Sequence, residues 1–180
     1  MVPDDLNRRA ALALLLGAGA LAATGCGFAL RKAPEFAFRS IYVDLPANSS
    51  IGNELRRQLQ GTGKLEVIQD AARRDQAEVL LQSVLDVRDR IVVGRDASGQ
   101  VREFQLRQRF RFRVRTPAGK EVLPEAEILR QIDQSYSESA ALSKEAEAQM
   151  LFQNMQTDIV QQVMRRLATI KLSPPDHAPP

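Results

Sequence analysis

A chain of 180 residues with 44% hydrophobic, 26% charged and 5% aromatic content is neither disordered nor collagen-like in composition, and one domain is the natural expectation. Its formal charge of +3 suits anionic partners without requiring them. With one cysteine, Cys26, and one histidine, His177 in a proline-rich tail, intramolecular disulfides, histidine-dependent triads and Cys/His metal centres are excluded.

The N-terminus reads as an address. Arg8 and Arg9 precede an apolar run from Ala10 to Ala23, too short to span a bilayer but the length of a signal-peptide core. Ala23-Thr24-Gly25-Cys26 then resembles a bacterial lipobox, with alanine at the position where leucine is usual. Residues 1–25 are therefore expected to be a lipoprotein signal peptide and Cys26 the lipidated start of the mature chain. Two or more acyl chains there make a permanent membrane anchor. Gly27 is not the aspartate that resembles an inner-membrane retention signal, so the expected location is the periplasmic face of the outer membrane.

Residues 26–172 are expected to form the globular domain. Phe38 to Val43 reads as a strand ended by Pro46. Asn48, Ser49 and Ser50 are capping residue types, and Ile51, Leu55 and Leu59 recur at helical spacing up to Gly61. From Ala77 to Val93 the pattern alternates, placing Val79, Leu81, Leu85, Val87 and Ile91 on one face of a long strand. Asp96 to Gly99 is a turn, after which Phe104, Leu106, Phe110, Phe112 and Val114 share one face and Arg107, Arg109, Arg111, Arg113 and Arg115 the other. A tight turn pairs Leu81 with Val114, Leu85 with Phe110 and Asp86 with Arg109, a register that keeps apolar faces together. A further turn at Pro117 to Lys120 pairs Arg115 with Glu121, Arg111 with Glu125 and Arg109 with Glu127. The last helix starts between Ser139 and Ser143 and runs to about Ile170, and residues 173–180 are expected to be a disordered tail. Strand, helix, three strands, helix implies an α+β two-layer sandwich: about four strands in a mostly antiparallel mixed sheet, with two helices on its apolar face.

No glycine-rich phosphate loop is present, and no nucleophile can be paired with a base. Glu125 and Glu127 face the arginines rather than a cleft. The expectation is a non-enzymatic protein without a cofactor. Nucleic acid is excluded as a partner because stacking aromatics are missing. The alternating arginines, Arg107 and Arg111 among them, admit three readings: forks for phosphate groups, a solvated face neutralised by Asp86, Glu121, Glu125 and Glu127, or a surface buried against a partner protein.

Four stretches carry a resemblance to a known family: CGFALR at 26 to 31, SGQVREFQLR at 98 to 107, AALSKEAEAQM at 140 to 150 and QQVMRRLATI at 161 to 170. In this order and spacing they resemble the LptE lipopolysaccharide-assembly lipoproteins across essentially the whole mature chain. That resemblance implies an outer-membrane lipoprotein seated in a large LptD-type β-barrel, aiding its assembly and binding lipopolysaccharide. It also implicates basic residues at the strand hairpin and at the start of the last helix in ligand binding, which match Arg95 and Lys144 here. A cation in a helix's first turn opposes the macrodipole, which gives Lys144 a separate reason for notice, although Glu145 and Glu147 offset it. The other function kept open is a structural adaptor lipoprotein that binds no glycolipid.

Overall fold

The computed structural model describes residues 34–172, so the signal segment 1–25, Cys26 and the tail 173–180 lie outside the described residues. In chain order the elements are β1 (Ser40–Asp44), α1 (Ser50–Gly61), β2 (Glu66–Ile68), a 3-10 turn (Ala71–Gln76), β3 (Val79–Arg95), β4 (Val101–Arg115), β5 (Glu121–Ser135), a short 3-10 turn (Glu138–Ala140) and α2 (Ala141–Leu167). One sheet runs in the order β2-β1-β3-β4-β5. β1 is parallel to both its neighbours, and β3, β4 and β5 form an antiparallel meander. The two-layer α+β architecture is as expected, with five strands rather than about four. The extra strand, β2, has three residues, too few for alternation to show.

Local chemistry explains the helices. The Ser49 side chain accepts a hydrogen bond from Gly52 N at 3.0 Å and caps α1. Ile51, Leu55 and Leu59 from α1 and Ile159, Val163 and Leu167 from α2 are all fully buried in the main core, against Ile41, Val79, Leu81, Phe110, Phe112 and Val114 of the sheet. Both helices therefore cover the same face. A second, smaller cluster of Leu106, Ala148 and Met155 lies beneath the first half of α2. On the opposite face Ile68, Ala77 and Leu80 pack together with Tyr42. β1 is thus covered on both faces, as a strand between two parallel neighbours usually is.

The register departs from the sequence expectation at several bulges. Leu81 does lie opposite Val114, but pairing slips between Ser83 and Leu85, so Leu85 faces Arg111 and Asp86 faces Phe110. From Leu85 to Val92 every residue of β3 changes face relative to simple alternation. Leu85, Val87 and Ile91 consequently share the face of the arginines, not that of Val79 and Leu81. Asp86, Arg88 and Arg90 turn toward the helices instead, where Ser49 Oγ donates to Asp86 at 3.1 Å, and Arg88 donates to Gln156 at 2.8 Å and Arg90 to Glu145 at 2.7 Å. On the other side of β4, Arg115 pairs with Glu121 as expected. Pairing then slips around Pro124, placing Arg111 opposite Glu127 and Arg109 opposite Leu129. The expected pairs Asp86–Arg109 and Arg109–Glu127 are therefore replaced.

Candidate ligand and partner site

The β3–β4 connection is organised by one carboxylate. Asp96 Oδ1 accepts hydrogen bonds from Ser98 N at 2.9 Å, Ser98 Oγ at 2.6 Å and Gln100 N at 3.0 Å, while Arg102 donates to Oδ2. Gly99 closes the turn at φ +83, a conformation glycine adopts without a Cβ penalty. The Ser98 hydroxyl, followed by Arg102, outweighs desolvation and lowers the Asp96 carboxyl to a pKa of about 2. Just before this turn, Arg95 is exposed and donates from Nη1 to Gly99 O at 2.9 Å. Gly94 lies opposite Glu103, and a Cβ there would stand 2.9 Å from Glu103 Cβ, so the bulge beside Arg95 has room only for glycine.

Lys144 reaches the same end of the sheet from the helix layer. Glu103 pairs with Ser135 across to β5, and Lys144 Nζ donates to Ser135 Oγ at 3.1 Å and to Glu147 at 2.8 Å. The first turn of α2 is held down by Gln134, whose Nε2 donates to Lys144 O at 2.8 Å. The hydrogen bond from Lys144, with its charge, holds the Glu147 carboxyl below the usual carboxylate range. Arg95 and Lys144 are thus both at element ends, at one end of the sheet, and Lys144 already has an anionic neighbour.

An arginine that sequence reasoning passed over stands near this end. Arg90 lies 3.9 Å over the ring of Phe104, which meets Tyr136 edge-on at 5.0 Å, and Arg90 also pairs with Glu145. Such stacking fixes a guanidinium in place. Simple alternation puts Arg90 on the opposite face from Phe104, so only the bulge at Val84 brings them together.

Arg107 and Arg111 lie elsewhere, on the face that carries neither helix. Arg111 pairs with Glu125 at 3.1 Å and Glu127 at 3.7 Å, and Arg109 with Asp89 at 3.8 Å. Two of the five ladder arginines, Arg109 and Arg111, are thus ion-paired, with Asp89 in place of the expected Asp86. Arg107 has no ion pair among the described residues, and the Nε atoms of Arg107, Arg109 and Arg111 are buried without a protein acceptor. Half-buried Leu85, Val87 and Ile91 lie between the charges. Lys144 and the ladder therefore belong to two separate surfaces. Among the described residues no cluster of three or more His, Cys, Asp or Glu is placed to hold a metal ion.

The family model for lipopolysaccharide assembly, LptE, matches residues 38–167. The chain is 28% identical over 162 residues to the LPS-assembly lipoprotein LptE of Pectobacterium atrosepticum, covering 87% of this chain and 84% of that protein. It is equally 28% identical over 167 residues to the LPS-assembly lipoprotein LptE of Yersinia pestis, covering 91% and 78%. Among solved structures, the solution structure of lipoprotein B from Nitrosomonas europaea superposes with a TM-score of 0.67 at 31% identity, over 79% of this chain and 90% of that one. Rare lipoprotein B from Shewanella oneidensis shares the fold, with a TM-score of 0.60 at 17% identity over 73% of this chain and 95% of that one.

Proposed function

Because the chain belongs to the LptE lipopolysaccharide-assembly family, its match covering every strand and both helices, we propose that it is a non-enzymatic outer-membrane lipoprotein that binds lipopolysaccharide and supports an LptD-type barrel. Cys26 carries the lipid anchor, on the periplasmic face. The observation that supports this reading best is the convergence of Arg95 and Lys144 on one end of the sheet, from a hairpin and from a helix start. Cations at such positions offer charged hydrogen bonds to lipid A phosphates. The chain enters the fold at the opposite end, where Arg39 N donates to Glu78. At ~3.3 Å per residue, β3 separates the two ends by about 50 Å. A bilayer with its headgroups is about 40–45 Å thick. A domain tethered at the inner leaflet therefore has the length to carry its cationic tip to the outer leaflet inside a barrel.

A second reading, a structural adaptor that binds no glycolipid, is favoured by the pairing of Lys144 with Glu147 and of Arg109 and Arg111 with carboxylates. The two separate on charge reversal. Lys144→Glu, Arg95→Glu and the double variant are compared for thermal melting, capture of the barrel and saturable binding of labelled lipopolysaccharide. Only the last is expected to fall, by at least tenfold in the double variant. Undiminished binding with an intact fold moves the site to Arg107 and Arg111, tested by the same reversal. A parent domain that never saturates is the adaptor.

A further inference from the structure

Among the described residues three stretches of backbone edge are left at the borders of this sheet, and two of them are blunted. β2 is three residues long. β5 is broken in register at Pro124 and lined by Glu121, Glu125, Glu127, Arg130 and Asp133, the devices that keep an edge from recruiting a foreign strand. The third is different. β1 covers β3 only from Val79 to Gln82, because Pro46 turns the chain away into α1, and from Ser83 to Arg95 no strand among the described residues lies on that side of β3. Within this stretch Leu85 to Val92 pairs with β4 without interruption, and Val84, Val92 and Val93 are 41%, 36% and 48% exposed. Where β1 departs, a groove of about 580 Å³ bordered by Asp44, Pro46, Ser49, Val84 and Asp86 continues the line an added strand would follow.

We propose that this edge of β3 pairs antiparallel with the same edge of a second copy of the chain, about a two-fold axis at Arg88. The sequence of the edge is self-complementary in that register. Leu85 meets Ile91 of the second copy on the uncovered face, Asp86 meets Arg90 on the helix face, and both pairs occur twice, as an isologous contact requires. Val84 and Val92 are likewise brought opposite each other. An axis at Asp89 would set Asp89 against itself and Arg88 against Arg90, and an axis at Val87 would set Leu85 against Asp89 and Val84 against Arg90. The Arg88 register sets Val87 against Asp89, but it matches three pairs on either side of the axis, Val84 with Val92, Leu85 with Ile91 and Asp86 with Arg90, more than either neighbouring register does. Its single like-charged meeting, Arg88 with Arg88, is relieved because each guanidinium is drawn back to Ser50 and Gln156 of its own copy. A single strand pair buries less than the ~1,200 Å² of a standard stable interface, so the dimer is weak and dissociates on dilution.

The test uses the mature chain from residue 26 carrying Cys26→Ser, which removes the sole thiol. Sedimentation is expected to show a monomer–dimer equilibrium. Directly opposed residues of an antiparallel pair are about 4.5–5.5 Å apart at Cα, within disulfide reach, whereas residues two positions out of register are not. Arg88→Cys should therefore oxidise to a covalent dimer. Leu85→Cys mixed with Ile91→Cys should cross-link one variant to the other, with neither forming a dimer alone, and this pair leaves the Arg88 contacts intact. A monomer at every concentration overturns the proposal. So does a dimer in which Leu85→Cys cross-links to itself as readily as to Ile91→Cys.

Discussion

Asp96 stands in the sequence as one polar residue in a turn, yet four donors converge on its carboxylate and the path of the β3–β4 connection depends on them. Its pKa falls from an ordinary 3.8 to about 2 because the anion is what Ser98 and Arg102 bind. A carboxyl lowered on folding contributes its stabilisation fully above the unfolded value and loses it as pH falls through the folded one. Amide protection at Ser98 and Gln100 is therefore expected to be constant above about pH 4 and to be lost toward pH 2, with the Asp96 carboxyl titrating near 2 in an NMR titration. Asp96→Asn should abolish that pH dependence, and a carboxyl titrating near 4 would sever the turn from this account. The turn itself was legible, because Asp and Gly at these positions carry their backbone preferences with them. Arg95 and Lys144 were legible as positions at element ends that share one end of the sheet, and the pairing of three strands supplies the path between them. Arg90 was not legible as a neighbour of Phe104, since its face is decided by a residue six positions away.

That residue, Val84, shows what pattern reading misses at the scale of an element. It is apolar in a run of apolar and polar alternation, so the sequence on either side of it looks continuous while the pairing slips by one. β2 escaped for the opposite reason, being shorter than the window in which a period can be recognised. The long helix, with a broad apolar face repeated over 27 residues, was read to within a few residues of its ends. Deletion of Val84 puts the bulge to the test. Since Val84 has no partner on β4, removing it leaves Leu85 opposite Arg111 and Asp86 opposite Phe110, and only regularises the strand. The variant is expected to fold with its hairpin intact and a stability change below about 2 kcal/mol in a denaturant melt. In a strand without a bulge the same deletion would exchange the faces of everything from Leu85 onward, moving charges beneath the helices and apolar residues out. Loss of the fold, or inter-strand contacts joining Leu85 to Phe110, would mean that the bulge is misplaced.

At the scale of the whole molecule the helix face of the sheet carries two cores rather than one, and the division runs through Gln108. Arg88 pairs with Gln108 and Gln108 with Arg130, so a polar row crosses β3, β4 and β5 on the helix face. Arg88 and Arg130 leave this row to meet Gln156 and Asp158 of α2. Gln108 is fully buried, and among the described residues neither its Nε2 nor its Oε1 finds a protein partner. To one side lies the main core around Phe110, Phe112 and Val79; to the other lies the small cluster of Leu106, Ala148 and Met155 that supports the tip carrying Arg95 and Lys144. Fewer buried apolar contacts on the tip side mean that it opens at a lower free energy than the rest. Native-state hydrogen exchange should therefore resolve two levels, with amides of Phe104 to Arg107 exchanging before those of Phe110 to Val114. Gln108→Leu removes a buried amide without a protein partner and joins Leu106 to Phe110 in one apolar run. Its expected gain is about 1 kcal/mol of global stability, read from the denaturation midpoint. The more telling readout is the exchange of the tip, whose opening free energy should rise toward the global value as the two cores fuse. If the tip keeps its separate, faster exchange while global stability rises, Gln108 is merely a poor core residue and the division of the molecule lies elsewhere.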